Sequence, residues 1–564
     1  MRQMMAKWTV VVASAVVVLG ASSAVDGGAS VHAPAAAGIS CSRRQDCGFL
    51  PGLACIDEVC AACSTDSDCG ASPTDLSKRC ILMTTTTKRG KDHVSPVSTM
   101  CIEKNFFSPF TPADGFATFM AFLSAALGSG CGVGGGGLLV PLYILVVGLG
   151  PKHAIPLSKA TIFGGAVATF WVNFSKKHPH RPKRPLIDYA LAAMMEPPTL
   201  VGSIFGVLFN RILPAWLILI LLITLLSYTA YKTMLKGNKL YAKERIAKAK
   251  AAPNDESKSC LIHIDTIENK VKWCAQHWLS VTRTKRQERL QLQADEEDFE
   301  TLTRLVMPID KTRFIEDTRA MLEAEEYTIF PVQSALPLIV CWLVVFFQAL
   351  VLGGHGVPSL FDVHCGTSLY WVLTFLPLGL LLFIMSWMGQ RLRLRNRLRV
   401  LTQTAFVEGD VHWTRLKTQV VFPMYCVLAG IAAGLLGIGG GMIKGPVMLE
   451  NGILPPVQTS TASFMILFTS SATTLLFSIA GMFPGQLQYD YVAWFACAGF
   501  TGGLFGQKVV GYLLKKYNRT SILVYILAFT IGLSALCMGF VGAQTAIRNF
   551  EKGVDLGFSS VCTP

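Results

Sequence analysis

Glycine leaves backbone amides open to ligands, and residues 131–141, CGVGGGGLLVP, place four in a row at Gly134, Gly135, Gly136 and Gly137. Free amides at the head of a helix bind anions. The spacing Gly132-x-Gly134-x-x-Gly137 also fits the dinucleotide-binding fingerprint. The tract therefore reads as a phosphate cradle, a flexible linker or a break in a membrane helix. A second tract, LGIGGGMIKGPVML at 436–449, decides among them. Gly132 aligns with Gly437. Gly134, Gly135 and Gly136 align with Gly439, Gly440 and Gly441, and Pro141 with Pro446. The register runs without a gap through Pro151 and Pro456 to Ser158 and Ser463. The second copy has Met442 where the fingerprint needs its third glycine. Neither copy has the Gly-Lys-Ser/Thr of a phosphate loop, and no acidic residue lies about 20 positions downstream of the first. Nucleotide binding is excluded, and no cofactor or metal is expected.

Other residues near the tracts can carry charge or donate hydrogen bonds. Lys444 follows Gly441 by three positions. An intramembrane lysine is expensive and often functional, so it either adds positive charge to an anion site or snorkels to the interface. Ser158 and Lys159 open an apolar segment, as Thr461 and Ser463 do in the second copy. Their hydroxyls either donate to an anion or cap helices. Glu196 precedes Pro197-Pro198 inside an apolar run, where it either couples transport to a proton or pairs with a base across the bundle.

The elements that must position these residues are membrane helices. The chain of 564 residues is 51% hydrophobic and 15% charged, against about 25% charged in soluble domains, and its mean hydropathy is +0.45. Several apolar runs reach the ~20 residues that cross a bilayer. We read spans near 113–129, 133–149, 157–175, 188–210, 213–235, 331–353, 368–389, 458–482, 490–514 and 520–543, with a paired element at 419–453. The net charge of +14 follows from basic loops flanking spans on the cytoplasmic side, and nucleic acid is not an expected partner.

The first 24 residues read as a signal peptide: Arg2 and Lys7, an apolar core, then small residues near Ala24. Eight of the 17 cysteines then crowd into 41–101: Cys41, Cys47, Cys55, Cys60, Cys63, Cys69, Cys80 and Cys101. An even set in a loop-rich segment predicts a disulfide framework, with the pairing left open. Cys60-x-x-Cys63 could be half a zinc site, but no second pair accompanies it. The expected order is a signal peptide (1–24), a cysteine-rich extracytosolic domain (25–108), membrane repeat 1 (109–235), a charged cytoplasmic loop (236–330), two linking helices (331–389), a basic cytoplasmic loop (390–418), membrane repeat 2 (419–543) and an extracytosolic tail (544–564). In 236–330, TRFIEDTRAMLEAEEY reads as helical; the segment serves either as a partner-binding domain or as a solvated connection.

With the cysteine-rich domain outside, the basic loops KKHPHRPKRP, RLRLRNRLRV and KKYNR all fall on the cytoplasmic side. The first copy then begins outside and the second inside. That predicts an all-α polytopic membrane protein with two inverted-topology repeats and glycine-broken or re-entrant helices, a transporter architecture. GSIFG at 202–206 and GGLFG at 502–506 recur in the same order and read as helix-packing surfaces.

The segments CGVGGGGLLVPLYILVVGLGPKHAIPLSKATI, PLIDYALAAMMEPPTLVGSIFGVLFN and GLLGIGGGMIKGPVMLENGILPPVQTSTASFMILFTS resemble the sulfite exporter TauE/SafE family, over about 113–235 and 419–543. The resemblance implies a permease for small sulfur-containing or related oxyanions, such as sulfite or organosulfonates. The expected protein is not an enzyme. It is a secondary transporter working by alternating access, with its site lined by Gly134–Gly137, Ser158, Lys159, Gly439–Gly441, Lys444 and Ser463. Its partners are a small anion, the bilayer and a coupling proton or sodium ion; its place is the plasma membrane or a secretory-pathway endomembrane. The alternative is a receptor whose cysteine-rich domain binds a ligand. Oligomeric state is left open.

Overall fold

The computed structural model describes residues 41, 53–69, 78–83, 98–103, 107, 110, 112–147, 149, 151–250, 311–353, 359, 367–402, 404, 409–411, 413–480, 482–483, 488–517 and 521–552. The expected signal peptide, Cys47, residues 251–310 of the charged loop and the tail beyond 552 lie outside them.

The first helical group is α1 (Pro112–Gly130), α2 (Gly136–Leu145), α3 (Pro151–Asn173), α4 (Tyr189–Ile212) and α5 (Ala215–Lys250). Three helices follow: α6 (Lys311–Tyr327), α7 (Val332–Leu352) and α8 (Ser368–Leu401). A π turn at Lys417–Val421 leads into the last group, α9 (Phe422–Leu436), α10 (Gly441–Glu450), α11 (Pro455–Ile479), α12 (Gln488–Tyr517) and α13 (Ser521–Lys552). Among the described residues, 6 helices are long and apolar enough to cross a membrane: α3, α4, α7, α8, α9 with its π turn, and α11.

Local chemistry sets the ends. Pro151 and Pro455 open α3 and α11, where a missing N–H costs nothing. Asp188 caps α4 by accepting from the Leu191 N–H at 3.0 Å, and Thr367 caps α8 at Tyr370. Two helices outrun their apolar segments. α5 continues to Lys250 and α8 runs through RLRLRNRLRV to Leu401. Lys, Arg and Leu are good helix formers, so the helix persists where hydrophobicity stops. The region read as a span at 133–149 holds only the 10-residue α2, and the paired element resolves into α9 and α10.

The two groups interlock. α4 packs on α9 as α12 packs on α1; α11 packs on α4 as α3 packs on α12; α10 meets α5 as α2 meets α13. Exchanging the first five helices for the last five leaves this pattern unchanged. GSIFG and GGLFG are packing surfaces: Gly202 and Gly206 lie against the Val427 and Ile431 carbonyls of α9, and Gly502 and Gly506 against the Phe122 and Ala126 carbonyls of α1. Small residues let backbones approach where lipid gives helices no hydrophobic drive to associate. α11 runs through the centre and is buried almost throughout. Several of its hydroxyls turn back on their own helix: Ser463 donates to the Thr459 carbonyl at 2.9 Å and Thr473 to the Thr469 carbonyl at 2.8 Å, which satisfies them in an apolar setting. α7 and α8 lie outside, with Leu336, Phe347, Leu376 and Phe383 exposed to what would be lipid.

The cysteine-rich segment forms two antiparallel hairpins, β1 (Ala54–Ile56) with β2 (Val59–Ala61) and β3 (Lys78–Met83) with β4 (Ser98–Glu103). Disulfides join Cys41 to Cys55, Cys63 to Cys80 and Cys69 to Cys101, and Cys60 is disulfide-bonded as well. The Cys63, Cys69 and Cys80 sulfurs cluster because two disulfides sit side by side. Cross-links stand in for the core that so short a segment cannot build. Phe107 and Phe110 bring it to the first turns of α12, 5.5 and 6.4 Å from the Trp494 ring.

Candidate functional site

Both glycine tracts interrupt a helix, by different means. In the first, Gly134 and Gly135 adopt φ of 84° and 77°, and the Gly128 carbonyl closes α1 by accepting from the Val133 and Gly134 N–H groups. In the second, Gly437 alone is left-handed, with φ 72°, whereas Gly440 has an ordinary helical φ of −53°. The tracts then meet backbone to backbone. A Cβ on Gly136 would stand 2.6 Å from the Gly437 carbonyl oxygen, and one on Gly439 or Gly441 would overlap the carbonyl of Val133 or Gly132. Only glycine permits this approach.

α2 and α10 start at this junction. Among the described residues, the N–H groups of Gly135, Gly136 and Gly137, and of Gly439, Gly440 and Gly441, donate to no backbone carbonyl. Two positive helix ends are thereby brought together.

The charged residues converge here. Lys159 on α3 is 1% exposed, and its Nζ donates to the Ile438 carbonyl at 2.7 Å. Beside it, Ser158 Oγ bonds the Ile155 carbonyl at 2.7 Å and the Gly437 carbonyl at 3.0 Å. Consecutive residues of α3 thus grip the second tract. Lys444 on α10 does not snorkel: it is 1% exposed, and its Nζ lies 2.8 Å from Glu196 Oε2 on α4. Thr469 of α11 donates to the other oxygen of Glu196. Glu196 is therefore the base's partner across the bundle. Lys444 takes the one carboxylate, and among the described residues Lys159 has a carbonyl for a partner and no carboxylate. An ammonium group buried this way costs several kcal/mol, roughly, unless an anion compensates it.

The other expected residues fall around this centre. Ser463 spends its hydroxyl on α11, and Thr461 Oγ1 accepts from the Asp188 N–H at 3.0 Å. Sequence reasoning missed Thr469, the Ile438 carbonyl and Gln458, whose Nε2 is buried with no hydrogen-bond partner. The hydroxyl-rich run QTSTAS…TSS at 458–471, on an otherwise apolar helix, was the available signal.

Two buried lysines and one buried glutamate, set where interrupted helices meet in a bundle with six helices able to cross a membrane, fit an integral membrane protein. The sulfite exporter TauE/SafE family matches residues 117–264 and 339–535, more than half of the chain. The protein belongs to that family. It is similar to three Arabidopsis thaliana proteins. Sulfite exporter TauE/SafE family protein 3 is 29% identical over 445 residues, 79% of this chain and 82% of the relative. Family protein 2 is 28% identical over 455 residues, 79% and 87%. Family protein 1 is 29% identical over 451 residues, 79% and 87%. No solved structure matches.

Proposed function

We propose that the protein is a secondary permease for a small anion, with sulfite or an organosulfonate as the substrate class, and that it works by alternating access between two inverted repeats. The observation that carries this is Lys159, buried and without a carboxylate partner among the described residues, beside two helix N-termini. A monovalent oxyanion brings to that centre the charge it lacks. The family and the names of the relatives point to the same class of solute.

The inverted arrangement is supported by where the groups touch. Near the cysteine-rich domain, Thr118 at the start of α1 accepts from Trp494 Nε1, and His153 at the start of α3 meets the Met482 carbonyl. These contacts support an α1–α2 pair that enters from that side and returns to it. At the opposite side, Asp188 bonds Thr461 near the start of α11, and Lys232 lies 3.4 Å from Glu450 at the end of α10. The α9–α10 pair enters and returns there. Basic loops suit a cytoplasmic second side, and the disulfides suit an extracytosolic domain at the first. Glu196 is the coupling group in this reading: an anion drawing Lys444 away leaves a buried carboxylate that takes up a proton.

The test is uptake into proteoliposomes across sulfite, sulfate, thiosulfate and organosulfonates, with and without an imposed proton or sodium gradient. Saturable uptake of at least one supports the proposal; no uptake of any rejects it.

A further inference from the structure

A second polar centre lies away from the glycine tracts, where the 174–188 connection, the end of α6, the start of α7 and the last turns of α8 meet. A cavity of about 70 Å³ opens there, lined among others by Arg184, Arg395, Asn396 and Arg399. Ion pairs surround it. Glu326 of α6 is 7% exposed and lies 3.6 Å from Arg181, 3.2 Å from Arg184 and 3.4 Å from Arg399. Asp410 bridges Arg184 and Arg399 at 2.6 and 3.5 Å, and Asp188 reaches Arg184 at 3.5 Å. Glu325 pairs with Arg391 and Arg395. Five guanidinium groups face four carboxylates.

The charges are nearly matched, but the hydrogen bonds are not. Glu326 Oε1 is buried and, among the described residues, has no donor aligned on it, although Arg184 is close. Among the described residues, the buried Nε–H groups of Arg395 and Arg399 have no acceptor. Buried donors left unused are costly, and a planar guanidinium is suited to an anion with several acceptor oxygens. Glu326 fills the charge of such an anion without filling its geometry. Taking Glu326 away raises the local excess from one positive charge to two.

We propose that Arg184, Arg395 and Arg399 form a second binding site for a small oxyanion, one that competes with Glu326 and releases α6 when filled. The proposal gives the end of the charged loop a role: it supplies a tethered carboxylate that holds the site closed. The site also adjoins the transport centre. Asp188 bonds Thr461 of α11, and the Tyr189 ring packs 5.1 Å from that of Phe464, next to Ser463. It stands independently of what the centre carries.

The experiment uses the full chain in lipid nanodiscs, with inorganic sulfate as the probe and sodium chloride holding ionic strength constant. A Lys159→Gln background removes the central ammonium from the readout. There, Glu326→Gln raises sulfate affinity about tenfold, in line with removal of a competing charge, and Arg184→Gln combined with Arg399→Gln abolishes binding. In the unsubstituted protein, sulfate speeds hydrogen exchange across 311–327 and chloride does not. An affinity that Glu326→Gln leaves unchanged or lowers, or equal acceleration of exchange by chloride, overturns the proposal.

Discussion

The chemistry of the centre is set by three side chains. Lys444 and Glu196 are an ion pair between fully buried partners, and such pairs add little net stability yet are costly to break singly. Glu196→Gln should therefore destabilise the protein by about 3–5 kcal/mol, because it strands the Lys444 charge. Adding Lys444→Met should recover most of that loss. Thermal unfolding of the single and double variants in nanodiscs measures both; a double variant no better than Glu196→Gln would mean the pair is not what holds these helices. The sequence marked Lys444, Lys159 and Glu196 as out of place in an apolar run. It did not show which would pair, because Glu196 and Lys444 stand 248 positions apart and only the packing of α4 on α9, beside α10, joins them. Ser158 and Ser463 were equally visible as hydroxyls, yet both are held by backbone carbonyls.

The interrupted helices turn glycine content into a junction. The glycines of the second tract are not equivalent. Gly439 faces the Val133 carbonyl, whereas the nearest atom to a Cβ on Gly440 is Lys444 Cε at 3.2 Å, on a flexible side chain. Gly439→Ala should cost about 1–3 kcal/mol, the scale of overpacking. Gly440→Ala should stay within about 1 kcal/mol and can gain from alanine's helix propensity. Melting temperatures that fall equally for both would show that the tracts need flexibility and not close approach. Both tracts were legible as breaks from glycines in a membrane segment. Their mutual contact was not, since it depends on how two distant helix pairs pack. Helix ends were the least legible feature: apolar composition stops near 235 and 389, but hydrogen bonding continues into α5 and α8 as far as Lys250 and Leu401.

At the scale of the molecule, a helical transport body carries a small cross-linked domain. The Cys69–Cys101 disulfide closes a separation of 32 residues, and replacing both cysteines with serine should cost that domain about 2–5 kcal/mol. Protease sensitivity across 53–103 should rise while anion flux holds, as it should when 25–105 is deleted. Loss of flux on deletion would assign the domain a part in transport; intact flux argues against a receptor. The likeness of the two halves was legible because the tracts and their trailing prolines align without a gap. The interlocking of the two groups follows from packing that composition does not encode.

On the proposed function, Lys159, buried and with no carboxylate partner among the described residues, holds a small anion between the glycine tracts. The most direct test is sulfite uptake by proteoliposomes carrying the unsubstituted protein or Lys159→Gln, with folding checked by size exclusion and melting. Uptake should be saturable, and Lys159→Gln should weaken its apparent affinity by about 10–100-fold, the worth of a charged hydrogen bond. Uptake by folded Lys159→Gln with unchanged affinity and rate would contradict it.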